Sequence, residues 1–268
     1  MNLARFSAEW IPADARIAPV VDTYWAVQWN LPPGAGTVQR IIDFPAVTLS
    51  IEAGDVPAPF VISVVRPGAW ERTIDGHGDV FAIRLRPAGL PVLSNLDAMS
   101  LSPEQEITPR LDARLHQVLS AIARGNGASE RARLADDVLS AALQERPLTA
   151  RQKLANDAVD LLAGAPVSSA GETVAAALGC HVRTLQRVLR ETTGCSPSEI
   201  ARRLRLQEVV RRLSVDSADA ATVAGELGYV DQAHMIRDFR SSTGITPGRY
   251  LRDAAASASA NATSAPPS

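Results

Sequence analysis

The sequence predicts two domains of different class: a mainly β N-terminal half, built as a barrel or sandwich and followed by helices, and an all-α C-terminal half. Three observations carry this. The chain has 268 residues, 46% of them hydrophobic, enough for two separate cores. From Val20 to about Leu90, short alternating segments are broken by Pro and Gly, the period of strands joined by turns. Near the C-terminus, Thr173 to Pro197 and Thr222 to Pro247 repeat one another, each as a helix-turn-helix.

In chain order, Tyr24 to Trp29 alternates, and Val47, Leu49 and Ile51 share one face of another segment. Phe60 to Val65 is a nearly continuous apolar run, and Phe81, Ile83 and Leu85 alternate with Arg84 and Arg86 before Pro87. Turns are marked by Pro32-Pro33-Gly34, Ala53-Gly54-Asp55 and Asp75-Gly76-His77-Gly78. The rings of Trp25, Trp29, Phe44 and Trp70 are candidates for lining an effector pocket, with ordinary β-domain core as the competing reading. Metal-dependent barrels need clustered His and carboxylate ligands, whereas His77 stands alone here and His116 falls in a helical stretch. Nucleophile-elbow, P-loop and dinucleotide-binding motifs are absent from the sequence. The expectation is a non-enzyme with no catalytic residue, metal or cofactor.

Two amphipathic helices follow, Leu111 to Ala123 and Ser129 to Leu143, separated by Gly125-Asn126-Gly127. Leu111, Leu115, Val118, Leu119 and Ile122 form one stripe; Leu134, Val138, Leu139 and Leu143 form the other. Such stripes either cover the β domain or pair with a second protomer. Pro147-Leu148-Thr149 marks the junction, which divides the chain into 1–146, 147–253 and a low-complexity tail, 254–268, expected to be disordered.

In the doubled unit, Arg187 and Arg237, Arg190 and Arg240, and Gly194 and Gly244 pair at one constant offset, while the turns before them differ by a single residue. Ala175 and Gly179, like Ala224 and Gly228, suit a close helix approach and a turn needing positive φ. Leu185, Val188 and Leu189, and Met235 and Phe239, fall on the core side of the second helix of each unit. Arg183, Gln186, Arg187 and Arg190 share the opposite face of the first copy; Gln232, Arg237 and Arg240 share that of the second. Asp231 is a good N-cap, and His181 at the matching place a poorer one. Ser196-Pro197-Ser198-Glu199 combines a capping box with Pro at the first helical position, so a connecting helix runs from Pro197 to about Leu213. This unit is a known way to place a helix in the DNA major groove.

Charge argues for recognition by placement, not by bulk attraction. The net charge is −2; before Leu148 the balance is −4, from 13 Arg against 17 acids, and from Leu148 on it is +2, from 14 basic against 12 acidic residues. Arg202, Arg203, Arg205, Arg211 and Arg212 crowd the connecting helix, either as a solvated face or as phosphate contacts. Lys153 is the only Lys, a bias that points to a GC-rich bacterial source. Cys180 and Cys195 lack companions at zinc spacing and are expected to be free thiols. No apolar run approaches the roughly 20 residues of a membrane span, and the N-terminus lacks a signal-peptide plan, so a cytoplasmic protein is expected.

The stretch GYVDQAHMIRDFRSSTGITPGRYLR, with the first copy and the helix between, resembles AraC/XylS-type transcription regulators from about Thr149 to Arg252. The resemblance implies seven helices, with two reader helices entering successive major-groove segments on one face of the duplex. It places base contacts on Arg183, Gln186 and Arg187, and on Gln232, Ala233, His234 and Arg237; Ala233 and His181 depart from the usual polar and small hydroxyl residues there. YWAVQW, LPP, QRIIDFPAVTLSIE and VFAIRLRPAG resemble the cupin-like N-terminal domain of some of these regulators, within residues 15–95. The implied protein is a one-component regulator whose partners are double-stranded DNA, RNA polymerase, a small-molecule effector and a second copy, the homodimer forming through the helices after the barrel. A helical protein–protein interaction module with no specific DNA site is the alternative, disfavoured by matched Arg on both second helices. An enzyme with a DNA-binding appendage of the methyl-transferring repair kind would need a nucleophilic Cys outside the helical half, and the sequence has none.

Overall fold

The computed structural model describes residues 6–32, 36–42, 44–65, 70–215 and 219–252. The expected disordered tail, 254–268, and the side chain of Trp70 lie outside the described part.

Strands β1 (Phe6–Ile11), β2 (Val21–Asn30), β4 (Thr48–Gly54), β5 (Phe60–Ser63), β7 (His77–Leu85) and β8 (Glu104–Glu106) form one antiparallel sheet in the order β1-β2-β7-β4-β5-β8. Strands β3 (Thr37–Ile41) and β6 (Trp70–Ile74) form a separate two-stranded ribbon. The long strands β2 and β7 hold the centre, with Tyr24 opposite Ile83 and Trp25 opposite Ala82. Side chains alternate between the two faces of a pleated sheet. On one face Tyr24, Leu49, Ile62, Phe81, Ile83 and Leu85 are buried in the main core. On the other, Trp29, Val80 and Ala82 meet Ile74 of the ribbon, with Trp25 and Val27 packed beside them. The N-terminal half is therefore a sheet covered twice, by the ribbon on one side and by helices on the other.

Those helices are α1 (Gly89–Leu93), α2 (Ala113–Ile122) and α3 (Ala128–Glu145). Leu115, Leu119 and Ile122 of α2 are fully buried in the core that holds Tyr24 and Phe81, with Val118 packed against it. This corrects the expectation that the α2 stripe forms a dimer face: the stripe shares with α1 and α3 the covering of the chain's own sheet. The phase expected for α3 also shifts. Its buried face is Ala132, Ala135, Leu139 and Ala142, while Leu134 and Val138 are half-buried. Small alanines let α3 lie close against its neighbours, a contact that large residues would hold apart.

The helical half comprises α4 (Ala150–Leu162), α5 (Ala170–Ala177), α6 (Val182–Thr193), α7 (Pro197–Val215), α8 (Ala220–Glu226) and α9 (Gln232–Thr243), with residues 247–252 helical after them. Thr149 and Gln152 close a reciprocal capping box at the start of α4. Among the described residues, no helix is long and apolar enough to cross a membrane.

The two halves are docked through buried polar groups. Asn156 of α4 donates to the Pro19 carbonyl at 2.8 Å and accepts from the Ala88 N–H at 3.0 Å. Arg86 reaches Asp160 at 2.7 Å. Further along, Gln207 of α7 donates to the Ile42 carbonyl, and the Ile42 side chain enters the core formed by Leu206, Val209, Tyr229, Met235 and Phe239. The N-terminal half thus supplies a core residue to the C-terminal one.

Candidate nucleic-acid interface

The doubled pattern becomes α5 with α6 and α8 with α9. Ala175 and Ala224 are buried where the helices of each unit cross, and Gly179 and Gly228 take φ values of +62° and +73°. A side chain would be strained in that backbone, which is why Gly stands at both turns. Leu185, Val188 and Leu189 of α6 and Met235 and Phe239 of α9 are fully buried, as their spacing predicts.

The opposite faces point outward. Arg183, Gln186, Arg187 and Arg190 are all exposed on α6; Gln232, Ala233, Arg237 and Arg240 are exposed on α9. His234 is half-buried, its ring edge-on to Tyr229 at 5.4 Å between centroids. Among the described residues, Arg183, Arg187, Arg237 and Arg240 form no ion pair, so their guanidinium donors face solvent. A planar guanidinium in that state can give paired hydrogen bonds to a guanine edge or a phosphate. The N-caps differ as expected: the Asp231 side chain accepts from the His234 N–H at 2.6 Å, while His181 caps α6 without a side-chain bond.

The connecting helix α7 has 19 residues, on the order of 28 Å of axis at 1.5 Å per residue. Its Ser196–Glu199 box is present, with the Ser196 N–H on the Glu199 carboxylate at 2.7 Å. Most of its arginines turn out to be internal ties. Arg202 and Arg205 hold Asp238 of α9 at 2.7 and 3.2 Å, and the Tyr229 hydroxyl donates to the same carboxylate at 3.0 Å. The Arg205 guanidinium also lies over the Tyr229 ring, 3.9 Å from its centroid. Burial, then the Asp238 charge, pushes the Tyr229 hydroxyl pKa upward. Arg211 and Arg212 grip Glu208 at 2.8 and 2.7 Å, and Arg212 also reaches Glu226. The hydrogen bond from Arg211, seconded by Arg212, holds the Glu208 carboxyl at about 2. Of the run weighed for phosphate contact, Arg202, Arg205, Arg211 and Arg212 are thus committed within the domain.

Sequence reasoning passed over Asp238, though a signal existed. In the constant offset of the repeat it stands where the first unit has Val188, which is fully buried. A carboxylate at a core-facing register asks for a partner, and Arg205 supplies it.

The two cysteines are free. Cys195 is buried, and burial pushes its thiol up to about 11; Cys180 is half-buried. His77 sits at an exposed strand start with its Nδ1 on Asp55 at 2.8 Å, and His116 packs edge-on against Phe60. Among the described residues, no group of three His, Cys, Asp or Glu side chains could hold a metal ion.

A cavity of about 440 Å³ opens between sheet and ribbon. Trp25, Trp29 and Phe44 all line it, so the effector-pocket candidates whose side chains are described converge there. Arg72 and Glu52 form a paired centre in its wall, with Nη2 to Oε2 at 2.7 Å, Nη1 to Oε1 at 3.1 Å and the Ser50 hydroxyl donating to the same carboxylate at 2.8 Å. Ile42, Gln207 and Tyr250 also border it, so its wall belongs to both halves.

Two family profiles match the chain: one described as a helix-turn-helix domain over residues 174–253, and a domain of unknown function (DUF6597) over residues 9–106. The HTH-type transcriptional activator RhaS of Pectobacterium carotovorum is 37% identical over 66 residues, 25% of this chain and 24% of that protein. The chain thus spans about a quarter of the length of the curated relatives it matches. A DNA-binding transcriptional dual regulator of Escherichia coli K-12 aligns over 41% of this chain and 96% of its own, at 22% identity and a TM-score of 0.32. ToxT from Vibrio cholerae aligns over 92% of this chain and 97% of its own, at 12% identity and a TM-score of 0.41.

Proposed function

We propose, on the premise that residues 174–253 form an AraC-type helix-turn-helix domain, that the chain is a one-component regulator of transcription that binds a specific DNA site. In this reading α6 and α9 are the reader helices, with Arg183, Gln186, Arg187 and Arg190 on the first and Gln232, His234, Arg237 and Arg240 on the second. One observation carries it: two helices of one repeat present exposed, uncommitted arginines at matched positions, while Arg202, Arg205, Arg211 and Arg212 of the helix between them are tied to carboxylates of α7, α8 and α9. The length of α7 suits two units set about one duplex turn apart, roughly 34 Å.

The reading divides the chain near residue 147 into a cupin-like sensing half and a DNA-binding half. The effector enters the cavity between sheet and ribbon, where Trp25, Trp29 and Phe44 meet it. DNA, RNA polymerase and a second copy of the chain are its macromolecular partners and the cytoplasm its setting, and no catalytic step belongs to it. Because α2 is committed to the core, self-association must use another surface; sedimentation of the full chain tests it.

Selection of bound sequences from a random duplex pool, followed by mobility shifts, tests the central claim. Arg187→Ala and Arg237→Ala should each weaken the selected site by roughly 1–3 kcal/mol with the fold intact. Unchanged affinity and salt dependence in both variants would reject the assignment of the reader helices.

A further inference from the structure

The wall of the sheet–ribbon cavity constrains what it can hold. Most of it is apolar, with Trp25, Val27, Trp29 and Val80 on the sheet side and Ile74 on the ribbon. Among the described residues two cations line it, Arg72 and Arg84, and both are already engaged. Arg72 is held by both oxygens of Glu52, the two side chains being only 17% and 3% exposed, and the Glu104 carboxylate acts on it as well. Arg84 gives its Nε to Asp22 at 2.5 Å and lies over the Phe44 ring at 4.2 Å and the Trp10 ring at 5.6 Å.

An anion entering this space meets cations whose charge is already balanced by Glu52 and Asp22, and taking Arg72 fully from Glu52 would strand a carboxylate in apolar surroundings, a costly exchange. A cation meets the reverse situation. Aromatic faces attract positive charge, and more strongly when water is excluded. Arg84 over Phe44 and Trp10 is already an instance of that attraction at the cavity's edge, and the wall adds Trp25, Trp29 and the acidic Glu9. We propose that the cavity takes a mostly apolar molecule carrying one positive charge, an organic ammonium or phosphonium. The proposal rests on the cavity's reading as an effector site and names the chemical class. Since Ile42, Gln207 and Tyr250 border the same space, the occupant touches the packing of α7 and α9 directly.

Charge sign is tested at fixed shape. The full chain is titrated with tetraphenylphosphonium and benzyltrimethylammonium, and in parallel with tetraphenylborate and phenylacetate, reading calorimetry and tryptophan fluorescence. The cations should bind and perturb the fluorescence, with tetraphenylphosphonium at least about tenfold tighter than its borate counterpart. Trp25→Ala should weaken the cations by about tenfold; Phe44→Leu, which retains apolar volume, should weaken them in the same sense. Anions binding as tightly as cations, no probe binding at all, or both variants binding like the parent chain would overturn the assignment. Mobility shifts without any probe report on the DNA reading separately: DNA binding that survives alongside failed cation binding sinks only the ligand class. Cation binding by a chain that binds no DNA upholds the ligand class and sinks the regulator.

Discussion

In the first helix-turn-helix unit, Leu185 and Leu189 close a core with Ala158 and Leu162 of α4, Val174 of α5 and Ile200 of α7. In the second, Met235 and Phe239 close theirs with Val209 of α7, Val223 of α8 and Ile42, a residue of the other half of the chain. The α6 position that packs as Val188 becomes Asp238 on α9, bound to Arg202, Arg205 and Tyr229. One sequence pattern therefore yields a first unit whose fully buried core is all from the helical half, with Val65 packed at its edge and a bare N-cap, and a second with a strong cap, an ionic tie and a borrowed core residue. Pattern fixes the shape of such a unit, while its anchoring is decided by what surrounds it. Both units border the N-terminal half, the first at Val65 and through α4, the second through the buried side chain of Ile42.

Phe239→Ala gives the largest expected effect, about 3–5 kcal/mol by lost burial and a cavity. Leu185→Ala should cost roughly 2–5 kcal/mol in the first unit. Thermal melts measure both, and an unchanged melting temperature would break the assignment of the buried faces. Ile42→Ala should cost roughly 2–4 kcal/mol, and segment-resolved hydrogen exchange should find the loss in α7 to α9 while α5 and α6 keep their protection. Equal loosening of both units would erase the contrast between them. Asp238→Ala comes next, at about 2–3 kcal/mol, because it leaves Arg205 half-buried without its carboxylate. Removing the cap with Asp231→Ala should cost about 1 kcal/mol, and His181→Asp should gain a similar amount in the first unit. Chemical denaturation of both variants tests the sign.

The smallest effect is electrostatic. Glu208 titrates at about 2 in the folded chain, against an ordinary 4.5. A lowered carboxyl pKa stabilises the fold above the unfolded value, and that contribution disappears as pH falls from 4.5 towards 2. Its size is roughly 0.5–1 kcal/mol, since the pair is partly solvated. Glu208→Gln should therefore lower stability slightly at pH 7 and leave it unchanged near pH 2; an equal loss at both pH values would contradict this origin.

Local features were legible because local physics determines them. Turn glycines, the Asp231 cap, the Ser196 box and the buried faces of α6 and α9 all follow from spacing along one helix. What the sequence left open was where an apolar face finds its cover. The α2 stripe demanded burial without saying against what, and alanines hid the true face of α3, since Ala carries little hydrophobic signal. Trp25, Trp29 and Phe44 could equally fill a core or line a cavity until the ribbon was seen standing off the sheet. Asn156 and Ile42 had no signal at all: one is an ordinary polar residue in a helix, the other an ordinary apolar residue after a strand, and their roles depend on distant chain.

The Ile42–Gln207 contact spans 165 residues. At a synthesis rate of about 5–20 residues per second, roughly 10–30 s pass between the appearance of one partner at the ribosome and the other. Ile42 waits exposed through that interval, and the second helix-turn-helix is the last part of the molecule to find its missing side chain. Contacts of such separation form late, after the loop between them is closed by everything else. A nascent chain halted just past α9 would still hold that stretch inside the exit tunnel, out of reach of Ile42.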